Sequence, residues 1–314
     1  MARWCWVALF SLVHAVLVAQ SLSLAERLGY GPQDKLLIIN ADDAGMTHAE
    51  NMATLEAMRH GLVGSATLMS PCPWFPEIAR AARAEPLLDF GVHLTITSEW
   101  EAMRWGPILG RAAVPSLVDA QGYFLGSVGA LQAKAKPKEV EAECRAQIQK
   151  VLDAGIDISH IDMHMHALGQ DIRLFEVYLK LARDFDLPVR FHPIREDTRE
   201  PQRARLAEKG ILTADRLYPG ALQPGETVSD AWRRVIRGLK QGVNELYIHV
   251  AHEHPEMQAL TGSDPIRTGW RDRMEEFRFF TVEPETRRLL EIEGVKLIRW
   301  RDLRNLQRKE RGGE

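Results

Sequence analysis

The chain has 314 residues, 45% of them hydrophobic and 26% charged, with a formal net charge of −3. That is an ordinary globular composition, long enough for one large α/β domain. With no basic excess it shows no nucleic-acid signature, and the basic tail "RKERGGE" reads as a solvated end.

At the amino terminus, Arg3 is followed by an apolar stretch from Trp4 to Ala19 and then by small residues. This is the layout of an export signal. It predicts a signal peptide over 1–25, cut at Ala19-Gln20-Ser21 or Ser23-Leu24-Ala25. The mature protein would then be periplasmic or extracellular, with no stable membrane association after cleavage; the stretch is short for a span, and an uncleaved anchor is the alternative. Loss of Cys5 would leave Cys72 and Cys144, as one disulfide or as two separate buried thiols.

From residue 33 to 305, short apolar strands alternate with amphipathic helices. "KLLIIN" predicts a strand. "THAENMATLEAMRHG" predicts a helix with Met52, Leu55 and Met58 on one face and Gly61 as its stop. The strand "VGSATLMSP" and the helix "FPEIARAARAEP" follow, then the strand "DFGVHLTIT". "KPKEVEAECRAQIQKVLDAG" predicts a helix with Pro137 near its start and Gly155 at its end. "HIDMHMHAL" is a strand, "DIRLFEVYLKLARDFDLP" a helix and "VRFHPI" a strand. "SDAWRRVIRGLKQG" and "NELYIHV" repeat the pair, and "EPETRRLLEIEG" with "VKLIRWRDL" closes the series. The alternation implies parallel βαβ units and a (β/α) barrel in a single domain. Residues 306–314 read as a flexible tail. The segments 98–130 and 250–280 have no clear period. Trp100, Trp105, Tyr123 and Phe124 suit the first either to cover a site or to pack onto the barrel.

Metal-type side chains recur at the ends of these strands. Asp42 and Asp43 end the first, His93 lies in "GVHLTIT", and His249 ends "LYIHV". In "HIDMHMH", His160, Asp162, His164 and His166 alternate with apolar residues, which on a strand makes one face wholly ionisable. A lone histidine is more often a core residue, and a lone Asp pair before a helix is more often a cap. In a parallel barrel, however, the carboxyl ends of the strands converge on one face. Recurrence there points to a metal site.

The segments "LLIINADDAG", "GLVGSATLM", "GVHLTIT", "HIDMHMH", "ELYIHV" and "LLEIEGVKLIRWRDL" resemble the YdjC/ChbG-like carbohydrate deacetylases, in order, from Lys35 to Leu303. The resemblance implies a distorted TIM-type barrel and metal-dependent removal of acetyl groups from N-acetylated sugars, typically chitooligosaccharides. It implies Asp43, His93 and His164 as metal ligands, Asp42 as general base and His249 as general acid. A protonated His249 would give its proton to the leaving amine. Asp162 would orient a ligand imidazole from behind. His160 and His166 would line the sugar site, and Arg190 would hold the base aspartate or the substrate. The cofactor is one divalent ion. Two imidazoles and a carboxylate suit Zn²⁺, Co²⁺ or Ni²⁺, whereas the family is often described with Mg²⁺, so the ion stays open. The chain departs from the family pattern at Ala44, where Phe is usual, and after His249, where "HVAHEHPE" lets His252 or His254 share the acid role. These departures motivate the alternative of a non-catalytic carbohydrate- or metal-binding barrel. The expected partner is an N-acetylated oligosaccharide, with a homo-oligomer left open.

Overall fold

The computed structural model describes residues 22–192, 199–261 and 269–312. Most of the expected signal peptide lies outside these residues, as do Pro193 and Ile194 of "VRFHPI" and the last two residues of the tail.

Among the described residues, seven strands form one sheet: β1 (Lys35–Ala44), β2 (Ser65–Leu68), β3 (Asp89–Leu94), β4 (Ile158–Met163), β5 (Arg216–Tyr218), β6 (Gly242–Ile248) and β7 (Val295–Leu297). All pairings are parallel, in the order β4-β3-β2-β1-β6-β5, with β7 beside the start of β1. Every residue of β1 after Lys35 is buried, as expected of a central strand covered on both faces. Its Leu-Leu-Ile-Ile run supplies the apolar surface. Helices between the strands cover the sheet. His48–His60 starts at Thr47, whose side chain accepts from the Glu50 amide. Pro137–Asp153 starts on proline, whose missing N–H costs nothing in a first turn.

The sheet curls into a half-barrel, consistent with a distorted barrel. Across its open side run isolated hydrogen bonds: Arg190 N–H to the Ile161 carbonyl, Ile161 N–H to the Pro188 carbonyl, and Val189 N–H to the Leu212 carbonyl. "VRFHPI" contributes one bridge, Val189 to Ile161, where a full strand is predicted.

Other expectations need correction. β4 ends at Met163, and a tight turn spans His164–His166, with Met165 at φ 52° and His166 at φ 54°. The strict alternation of "HIDMHMH" therefore stops halfway, and Met165 turns outward. The helix after β1 buries Ala49, Ala53, Leu55 and Ala57, so Met52 is exposed. The 250–280 segment holds helices Pro255–Thr261 and Trp270–Phe277. The helix Trp300–Glu310 runs through the expected flexible tail. Its buried Gln307 accepts from the Leu212 amide and donates to Asp186. At the other end, Ser23 and Glu26 form a capping box for the short helix Leu24–Arg27. Leu24 and Ala25 are buried with Leu36, Ile38 and Trp300, and Arg27 pairs with Glu310 at 2.5 Å. The fold thus begins before residue 25. Cys72 and Cys144 are separate buried thiols. Among the described residues, no helix is long and apolar enough to cross a membrane.

Candidate active site

Neighbouring residues on an ideal strand point to opposite faces, yet Asp42 and Asp43 line the same cavity, of about 440 Å³. A bulge explains this. The β1–β2 register shifts between Ala41 and Ala44, and Asp43 takes φ 65°. Asp tolerates that left-handed conformation better than most residues.

Asp43 Oδ1 lies 3.3 Å from His93 Nε2 and 3.4 Å from His164 Nδ1, and all three residues are buried. This oxygen has no hydrogen-bond partner. A buried orphan acceptor is costly, and a cation between these atoms would relieve it. The donor atoms of the three residues lie within 4.8 Å of one another. Each imidazole is anchored on its far nitrogen by a carboxylate: His93 Nδ1 by Asp162 at 2.7 Å and His164 Nε2 by Glu99 at 2.9 Å. That backing is characteristic of metal-ligating histidines. Burial opposes charge on both rings. Asp162 overrides it and pushes His93 up to about 10, and Glu99 pushes His164 up to about 9. The donor set fits a divalent cation. Asp42, His93 and Asp162 form a second close trio, but its carboxylates are already engaged by Arg190.

Arg190 grips Asp42 with two nitrogens, at 2.6 and 2.8 Å. It also meets Asp162 at 2.8 Å and Glu245 at 2.8 Å. Asn40 donates to Asp42 at 2.8 Å. Burial favours the neutral acid, but the Arg190 guanidinium wins and holds Asp42 at about 2. Asp42 is therefore an ionised carboxylate in a fixed orientation. Arg190 holds the aspartate and lies beneath the cavity, with its guanidinium over the Tyr247 ring.

His249 lines the cavity, with Nε2 3.9 Å from Asp43 Oδ2. Burial pushes it down to about 4, so it rests as a neutral imidazole, not as the expected imidazolium. His252 meets Glu56 at 3.2 Å and His254 accepts from the Glu256 amide; neither lines the cavity.

The family profile described as "YdjC-like protein" matches residues 36–291. The chain belongs to the YdjC-like family. A Thermus thermophilus relative named carbohydrate deacetylase is 34% identical over 279 residues, covering 86% of this chain and 94% of that protein. An Enterococcus faecalis protein of the same name is 41% identical over 158 residues, 50% of this chain and 58% of its own length. That alignment thus spans little more than half of the relative. A crystal structure from Enterococcus faecalis, provisionally described as a cellobiose-phosphate cleavage protein, superposes with TM-score 0.75 at 30% identity. It covers 86% of this chain and 99% of that one.

In this YdjC-like chain, His166 lines the cavity, stacks on His192 and meets the Tyr247 hydroxyl at 3.2 Å. His160 does not line it. It is fully buried and stacked on Trp300 at 4.6 Å, and burial holds it well below the usual histidine range. The sugar-lining expectation for His160 is therefore corrected to a core position. Of the four aromatics in the 98–130 segment, only Trp100 reaches the cavity wall; Trp105 packs on His164 and Phe124 is buried. Sequence reasoning passed over Glu99, Tyr247 and Arg273, all in the cavity wall. Tyr247 alone carried a signal, on β6 two residues before His249, which follows the end of that strand.

Proposed function

We propose that this protein is a metal-dependent carbohydrate deacetylase that hydrolyses the acetamide of N-acetylated sugars of the chitooligosaccharide type. The observation that carries it is Asp43 Oδ1, buried and without a hydrogen-bond partner. It faces two carboxylate-backed imidazoles beside a separately anchored carboxylate, Asp42. A divalent cation held by Asp43, His93 and His164 would lower the pKa of water and polarise the acyl oxygen. Two imidazoles and one carboxylate favour Zn²⁺, Co²⁺ or Ni²⁺ over Mg²⁺. Asp42, ionised and fixed by Arg190, receives the proton of the attacking water. His249 Nε2 passes a proton to the departing amine. Being neutral at rest, it would first take up a proton from solvent, while Asp42 returns the proton it received to solvent. Trp100, Met165 and Tyr247 give the cavity an apolar wall for a sugar ring. The leader-like layout of residues 1–21 supports an exported enzyme acting on extracellular or periplasmic fragments, with the mature amino terminus as the test.

The primary experiment measures acetate release from N-acetylated chitooligosaccharides by protein beginning at residue 22, after chelation and after reloading with single ions. Release restored by one ion is expected, and Asp42→Asn should lose about 10²–10⁴-fold in rate while retaining that ion. Stoichiometric binding without release under any ion would overturn chitooligosaccharide deacetylation and leave a different acyl substrate or a binding barrel.

A further inference from the structure

The two oxygens of Asp43 have different surroundings. Oδ1 faces His93 and His164 and is otherwise without a partner. Oδ2 accepts from Arg273 Nη2 at 2.9 Å. We propose that Arg273 is a positioning residue for the metal centre: by occupying Oδ2 it fixes the Asp43 carboxylate so that Oδ1 is presented to the cation. This rests on the metal-dependent reading above.

Three observations support it. First, Asp43 sits on a bulge with a left-handed backbone, so regular strand geometry does not aim its side chain. Second, Arg273 is itself immobilised. It is buried, its Nη1 donates to Glu50, and its carbonyl accepts from the Ala251 amide. Glu50 in turn accepts from Thr47 Oγ1 at 3.0 Å, at the start of the helix that follows the bulge. The guanidinium thus joins Asp43 to the first turn of the next helix. Third, this arrangement needs a planar fork that serves two carboxylates at once, which an ammonium group does not supply. Asp162 and Glu99 orient the two imidazoles, and Arg273 does the same for the third ligand.

The test is titration of metal-stripped wild type, Arg273→Gln and Arg273→Lys with Co²⁺, followed by calorimetry and visible absorption, with circular dichroism as the fold control. Arg273→Gln should bind Co²⁺ about 10–100-fold more weakly with an altered ligand-field band. Arg273→Lys, which keeps the charge and one donor, should fall between it and wild type. If Arg273→Gln does not fold, Arg273→Lys alone carries the comparison. Folded variants with wild-type affinity and band overturn the proposal, even if KM rises, because Arg273 would then serve substrate. A wild-type protein that binds no ion at all sinks the metal reading itself, a separable result.

Discussion

Asp42 and Asp43 are adjacent in the chain but belong to different circuits. Asp42 is tied through Arg190 to Asp162 and Glu245. Asp43 is tied through Arg273 to Glu50. The circuits meet at His93, which touches Asp43 on one nitrogen and Asp162 on the other. Asp162 is thus shared by Arg190, which anchors the proposed base Asp42, and by His93, a proposed metal ligand. Asp162→Asn should weaken metal binding about 10–100-fold and also loosen Asp42. The check is metal affinity by calorimetry alongside kcat at saturating ion. A loss confined to kcat would show that Asp162 serves the base alone. The residues that define the centre were legible in the sequence because they are His or Asp at strand ends. Glu99 and Arg273 were not, because each comes from a segment without period, where nothing indicates which charge faces inward. His160 misled for the opposite reason: it shares a strand face with Asp162, but one position earlier in that row the face already belongs to the core.

At the scale of elements, the cost of that buried His160 falls on β3. A Cβ on Gly91 would lie 2.5 Å from the His160 ring and 2.7 Å from its carbonyl oxygen. The ring cannot retreat, because Trp300 stacks on its face. Gly91→Ala should therefore destabilise the fold by about 1–3 kcal/mol, read as a lower urea midpoint with unchanged slope. A midpoint within error of wild type would mean that the His160–Trp300 stack yields. The alternation of strands and helices was readable because apolar runs and caps such as Thr47 are local signals. The three-residue β5 was too short to show a period of two. The turn at His164–His166 was invisible because nothing in "HMH" announces two successive left-handed residues. That turn matters, because it lets His164 stay in the centre while Met165 moves to the cavity wall.

Over the whole molecule, the two ends of the described residues meet: the helix Leu24–Arg27 packs beside the helix Trp300–Glu310, and Arg27 pairs with Glu310. Cleavage after Ala25 would strip two buried residues from that contact, whereas cleavage after Ser21 leaves it whole. Amino-terminal sequencing of exported protein should find residue 22 first. A mature chain starting at residue 26 would show this helix to be dispensable, and exported protein that retains Met1 would point to an uncleaved anchor. Single-domain organisation was legible from unbroken alternation, but the half-barrel was not, since its open side is bridged by isolated hydrogen bonds that leave no pattern in sequence. The centre draws on positions from 43 to 273, so it is also ordered in time. A ribosome delivers Asp43 among the first residues of the fold and Arg273 among the last. A nascent chain would hold the three proposed ligands, the last of them His164, well before Arg273 arrives to clamp Asp43, so the proposed cation site would reach its full affinity only late in synthesis.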